Sequence, residues 1–219
     1  MSIGYVGALR LIRRAFSHYP PGHRLHILIR FLTAPFLRTL DAIPRGSRVL
    51  EIGAGHGTYA LLLVHAGIAR EVICVEPDTR KSLLPMRQPN IKWIAGFDDC
   101  VRGTFDAIVI YDATHRMPID VRTRLYVRIF ERLRPGGTFV LKDLDPGARL
   151  KMAWARVQDW LSDTFLGISL GSGSIYQTRA EVERTLQEIG FERFTVKNVG
   201  FGYVHPHIVY TAVKPSAES

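Results

Sequence analysis

Apolar residues recur at helical spacing through the first forty positions of the chain, and the period then alternates between strand and helix. Ile3 to Phe16 predicts a helix, with Ile3, Val6 and Leu9 on faces different from those of Arg10 and Arg13. Tyr19-Pro20-Pro21-Gly22 breaks it. A second helical stretch runs from about His23 to Leu40, bent or split at Pro35, and Pro44-Arg45-Gly46 turns the chain toward a core. Arg48 to Ile52 then predicts a strand, Thr58 to Ala66 a helix ending at Gly67, and Glu71 to Glu76 a second strand. Asp78 to Leu84 begins a helix, and Ile91 to Ile94 is a third strand. Phe105 to Tyr111 is almost wholly apolar, as suits a fourth strand buried on both faces. Asp120 to Leu133 has helical spacing at Val121, Leu125, Ile129 and Leu133, and Arg134-Pro135-Gly136-Gly137 divides it from a fifth strand at Thr138 to Lys142.

Strands and helices alternating in this way predict an α/β fold, a doubly wound and mostly parallel sheet. Leu150 to Phe165 reads as a helix carrying Trp154, Trp160 and Phe165, followed by a glycine-rich piece from Leu166 to Ser174. Thr178 with Glu181 forms a capping box for another helix. Phe191 to Val199 and Ile208 to Val213 close the chain as an antiparallel pair. No repeat or long linker interrupts the pattern, so we expect one domain over residues 45–219 with a helical extension or cover over residues 1–44.

Composition adds limits. A chain of 219 residues buries roughly 70% of its unfolded surface and needs no staple. The two cysteines, Cys74 and Cys100, form no C-x-x-C pair, which argues against a disulfide scaffold or a thiolate zinc site and for a reducing cytoplasm. No signal peptide is expected, because Arg10, Arg13 and Arg14 interrupt the first apolar run. The most apolar stretch, Leu25 to Ile43, holds Arg30, Pro35, Arg38 and Asp41 and is not read as a membrane span. Of the net charge of +9, residues 1–48 supply +7, from eight arginines against Asp41. That leader fits peripheral contact with an anionic membrane at the inner surface, a phosphorylated acceptor or nucleic acid; a solvated helical cover is the plainer reading.

Val49-Leu50-Glu51-Ile52-Gly53-Ala54-Gly55-His56-Gly57 is the most informative segment. Its glycines permit positive φ and close approach of a ligand to the backbone. Dinucleotide enzymes use G-x-G-x-x-G at the same place, but here the third glycine comes one residue early. Glu76 ends the second strand, where a carboxylate can accept bonds from ribose hydroxyls. Glu51 sits beside the glycine turn, a poor neighbour for a pyrophosphate and a good one for an ammonium or sulfonium.

Together with Glu76-Pro77-Asp78, Phe105 to Asp112 and Leu133-Arg134-Pro135-Gly136-Gly137, this segment resembles class I (Rossmann-like) S-adenosylmethionine-dependent methyltransferases over roughly residues 45 to 145. The resemblance implies a seven-stranded sheet of order 3-2-1-4-5-7-6 with strand seven antiparallel. It also implies S-adenosyl-L-methionine as methyl donor, with S-adenosyl-L-homocysteine as product. Glu51 and the backbone of Gly53, Ala54, Gly55 and Gly57 would hold the methionine moiety, and Glu76 with Pro77 the ribose. Gly96, Phe97 and Asp98 would lie at adenine, with Asp98 on its amino group, and Asp112 with Ala113 beside the donor methyl.

The acceptor is less legible. Asp112-Ala113-Thr114-His115-Arg116-Met117-Pro118 resembles a segment of small-molecule and lipid methyltransferases. An imidazole titrates near 6.5, so His115 is a candidate base; it could equally cap the loop without titrating. The N-P-P-Y and D-P-P-Y segments of amino-methylating enzymes are absent, as is a recognisable catechol-type metal cluster. Lys142-Asp143 reads as the strand end and a loop aspartate, and His205-Pro206-His207, lacking a third ligand, as hairpin residues rather than a metal site. Trp154, Trp160, Phe165 and Tyr176 could line an acceptor pocket, though core packing suits most of them. The leading expectation is methyl transfer to oxygen or carbon of a small apolar or lipid-like acceptor. RNA or protein methylation through a basic docking arm, a non-enzymatic membrane scaffold and an NAD-linked enzyme are the rivals.

Overall fold

The structure is a computed structural model that describes residues 3–78, 81, 88–96, 101–148, 151–152 and 174–216. Two helices, α1 (Tyr5–Ala15) and α2 (Pro21–Thr33), lead into two short 3-10 turns at Phe36–Arg38 and Leu40–Ala42. Pro21 does not merely break the chain; it is a first-turn residue of α2, where a missing N–H is harmless. The helix stops at Thr33 because Ala34, preceding Pro35, is driven to extended backbone.

The alternating part comprises β1 (Ser47–Ile52), α3 (Thr58–His65), β2 (Ala69–Glu76), β3 (Ile91–Ala95), β4 (Phe105–Tyr111), α4 (Ile119–Arg132) and β5 (Leu133–Leu144). It ends with α5 (Arg179–Ile189), β6 (Glu192–Asn198) and β7 (His207–Val213). The seven strands form one sheet of order β3-β2-β1-β4-β5-β7-β6, with β7 antiparallel to both neighbours and the other pairs parallel. β5 is longer than its apolar pattern suggests. It begins at Leu133 opposite Phe105, passes an irregularity at Arg134 to Gly137, and runs on to Leu144, so Asp143 lies inside the strand rather than in a loop.

Successive strand residues point to opposite faces, and the core divides accordingly. Val49, Val109 and Val140 join the apolar cluster that includes α1, α2 and α3; Leu50, Ile110 and Leu141 join the one under α4 and α5. α3 is apolar nearly all round and buried on most sides, which requires a cover beyond the sheet. Ala8, Ile12, Phe16, Ile27 and Phe31 of α1, α2 and their connection provide it. The predicted pieces of helix at Asp78–Leu84 and Leu150–Phe165, with Trp154, Trp160 and Phe165, fall largely or wholly outside the described residues.

Candidate active site

Parallel register brings the carboxyl ends of β1, β2, β4 and β5 to one edge, the edge at which open α/β sheets bind ligands. Glu51 is the penultimate residue of β1, opposite Cys74, Glu76 ends β2, and Asp112 follows β4 one residue beyond the Tyr111–Lys142 pair.

The glycine turn is built by its own hydrogen bonds. Gly53 and Ala54 N–H both donate to the Val75 carbonyl, at 2.8 and 3.1 Å, and Gly57 N–H donates to Ala54 O at 2.8 Å. Gly55 N–H donates to Glu76 Oε2 at 2.7 Å, and Asp78 N–H to Glu76 Oε1 at 2.9 Å. Glu76 therefore braces the turn and the start of the next segment. A carboxylate has about four acceptor sites, so Glu76 keeps capacity for two further hydrogen bonds. Gly53, at φ +72°, is glycine for two reasons: a Cβ there would also stand 2.8 Å from the Ala113 Cβ. A Cβ on Gly55 would meet nothing within 4 Å, so the space over the turn is open. Gly96 N–H donates to the Glu76 carbonyl at 3.2 Å, tying the end of β3 to the same edge. Phe97 and Asp98 lie outside the described residues.

Glu51 is buried, and burial pushes its carboxyl up to about 8, with the Glu76 charge adding to the rise. A buried neutral acid of this kind becomes a strong anion site when a cation arrives beside it, as a donor ammonium would require. Asp112, at φ +56°, is ion-paired to Lys142, which is fully buried, and has Arg30 Nη1 at 3.0 Å from its Oδ2. Burial would raise the Asp112 carboxyl, but Lys142 and Arg30 overcome it and hold the group well below the carboxylate range. Burial likewise pulls Lys142 down to about 8, against the attraction of Asp112. Both members stay charged at neutral pH.

His115 lies in a short 3-10 turn after β4, with Nδ1 3.3 Å from Asp143 Oδ1, close enough for charge pairing though off hydrogen-bond alignment. Asp143 is fixed by Thr114 Oγ1, which donates to Oδ2 at 2.6 Å, and its Oδ1 accepts from Leu144 N–H at 2.8 Å. Burial would raise the Asp143 carboxyl; His115 and Thr114 outweigh it and hold it below its usual value. The Tyr176 ring stacks on the imidazole at 5.4 Å and 15°, and Ile175 N–H donates to His115 O at 2.8 Å. Buried Arg122 straps the two segments together, donating to Met117 O at 2.9 Å, to Gln177 Oε1 at 3.1 Å and to Ile175 O.

α2 lies across the glycine turn at this edge, the candidate donor edge. His23 Nδ1 and His56 Nε2, the latter from the glycine turn, are 2.9 Å apart, and the His26 ring centroid is 5.6 Å from that of His56. Burial lowers His56 to about 3 and lowers His26, so neither is a cation near neutrality. His207 instead uses Nε2 against the Thr33 carbonyl at 2.8 Å, pinning β7 to the end of α2. Among the described residues no group of three His, Cys, Asp or Glu could hold a metal ion.

Arg30, Lys142, Asp143 and the His23–His56 contact escape sequence reading. Lys142 at the end of an otherwise apolar run was the available signal, since a lysine buried there needs an acid opposite. Arg30 gave none, because its partner is distant in sequence.

The model of the family described as "Methyltransferase domain" matches residues 23–196. No curated protein sequence matches the chain. A methyltransferase of Haloferax volcanii, solved with the Trm112 methyltransferase activator, superposes with a TM-score of 0.69 at 12% identity, covering 95% of this chain and 99% of that one. A Thermotoga maritima S-adenosylmethionine-dependent methyltransferase gives 0.64 at 18% identity, covering 93% and 99%. Human N-acetylserotonin methyltransferase in complex with the donor gives 0.62 at 16% identity, covering 95% of this chain and 60% of that one. The chain belongs to the methyltransferase-domain family and is a class I S-adenosylmethionine-dependent methyltransferase.

Proposed function

We propose that the chain methylates oxygen or carbon of a small apolar or lipid-like acceptor, met at an anionic membrane surface, with His115 as the base. When bound, the donor supplies an electrophilic methyl group on a sulfonium that leaves as a neutral thioether. The protein must align the acceptor and remove its proton. The observation that carries this reading is the pairing of His115 with Asp143 beside Asp112 and Ala113. With Nδ1 facing the Asp143 carboxylate at 3.3 Å, Nε2 is the nitrogen left to take the acceptor's proton. Tyr176 and Ile175 offer apolar surface next to the ring, as an apolar acceptor needs.

Incubating the protein with labelled donor and fractionated cell extract tests the acceptor class. Label in the lipid or small-molecule fraction is expected; label confined to RNA or protein would overturn it. His115→Ala should lower turnover by roughly 10²-fold or more while donor affinity, measured calorimetrically, stays near wild type. Asp143→Asn should fall by less, because it disturbs orientation and charge but leaves the base. Unchanged turnover in His115→Ala removes it from the mechanism.

A further inference from the structure

α2 has three distinct faces. Ile27 and Phe31 are buried in the core; His23, His26 and Arg30 share the side over the donor edge. Leu25, Ile29 and Leu32, at i, i+4 and i+7, form a third stripe that points outward, 59%, 49% and 52% exposed. Core packing does not explain that stripe.

It is not isolated. Of the ten large apolar side chains exposed among the described residues, seven lie on α1, α2 and the loop before β7: Tyr5, Val6, Leu25, Ile29, Leu32, Phe201 and Val204. These elements are joined. The Tyr5 ring is 5.1 Å from that of Phe31. Arg38 donates to Phe201 O at 2.5 Å and lies 4.9 Å over the Tyr203 ring, which holds the loop beside the end of α2, where His207 meets Thr33. Phe201 is 87% exposed at the loop tip.

Within residues 1–48 the charge is almost all positive. On α1, Val6 lies four and seven residues before Arg10 and Arg13 and shares their exposed side, against the expectation that it sits on a different face, and Arg14 and Arg24 are exposed as well. Asp41 is the only acid in residues 1–48, and Lys197 Nζ sits 3.1 Å from it. Apolar side chains set among arginines without matching acids are the features of an interfacial helix on an anionic bilayer. No helix of the described residues is long and apolar enough to cross a membrane.

We propose that the face formed by α1, α2 and the 200–206 loop docks on an anionic lipid surface. Leu25, Ile29, Leu32 and Phe201 enter the headgroup boundary while Arg10, Arg13, Arg14 and Arg24 meet the lipid phosphates. The inner side of α2 stays over the donor edge, so docking brings that edge to the bilayer. Delivery of a lipid-like acceptor rests on the proposed function; the docking itself does not.

Co-sedimentation of the full chain with vesicles tests it, using phosphatidylcholine alone and an equal mixture with phosphatidylglycerol. We expect binding to the mixed vesicles, weakened by salt, and little to the neutral ones. Ile29→Asp, Phe201→Ser and an Arg10/Arg13/Arg14→Gln variant should each reduce partition about tenfold or more, with affinity for S-adenosylhomocysteine unchanged. Failure to bind the mixed vesicles, equal binding to both kinds, or indifference to Ile29→Asp and Phe201→Ser would overturn the proposal. So would concentration-dependent dimerisation that Ile29→Asp abolishes, since the stripe would then belong to a second copy. Vesicle binding without methyl transfer to any lipid would leave the surface standing and remove only the acceptor reading.

Discussion

Glu51 shows how the candidate donor site sets the cost of burying a carboxyl against function. Its carboxyl has an ordinary value of 4.5 and is held at about 8 in the folded chain. Between those values the folded state keeps a proton that the unfolded state has lost, so stability falls as pH rises from 4.5 to 8. At pH 7 the loss is roughly 3 kcal/mol. Glu51→Gln should therefore raise the melting temperature, with the gain growing through that window, while donor affinity collapses. A variant no more stable than wild type at pH 8 would contradict the burial argument. Donor affinity of the wild type should rise with pH up to about 8, with proton uptake by the buffer seen calorimetrically, because the arriving ammonium favours the ionised acid. Gly53→Ala should destabilise by about 1–3 kcal/mol, from a positive φ and a Cβ pressed on Ala113, as a denaturant titration would report. Glu51, Glu76 and the glycines were legible because they lie on one short strand–turn pattern. Arg30 and Lys142 were not, since their meaning depends on Asp112 reaching them across the sheet edge.

Elements carried a different share of the information. The strands were readable from their apolar runs, and α5 from its Thr178–Glu181 box, which the structure forms in both directions. The ends of α2 and β5 were harder, because tertiary partners decide them: the fifth strand extends past Lys142 only because β7 pairs with it as far as the Leu144–His207 bridge. That extension is what puts Asp143 under His115. α2 was recognisable as a helix, but its division into core, donor and outward faces needed the glycine turn in place. Its donor face implies a test. Lys142 already balances Asp112, so Arg30 is a second cation at that edge, and its side chain is 38% exposed. A ligand anion would complete the charge balance, and the donor's amino-acid end has a carboxylate. Arg30→Ala should weaken S-adenosylhomocysteine about tenfold and methylthioadenosine, which lacks that end, much less. Equal losses for both would reduce Arg30 to a prop for α2.

For the whole molecule, the alternation of strands and helices was enough to foresee a doubly wound sheet, and the family resemblance its strand order; the first helices were expected as an extension or a cover. An extension over residues 1–44 suggests something removable. The structure makes its apolar side part of the same cluster as β1 and α3: Ile12, Phe16, Ile27, Phe31 and Phe36 are all nearly inaccessible there. Each such side chain contributes about 1.5–3 kcal/mol on burial. Together they rival the roughly 5–15 kcal/mol that holds a domain folded. Removal would also expose α3, which has no polar side to present to water. A chain beginning at residue 45 should accordingly lose cooperative thermal unfolding by circular dichroism and bind no donor by calorimetry. A cooperative melt within a few degrees of the full chain would show that the sheet closes its own core. The helices would then be a true accessory, and the outward stripe of α2 would sit on a detachable arm rather than on the wall of the donor site.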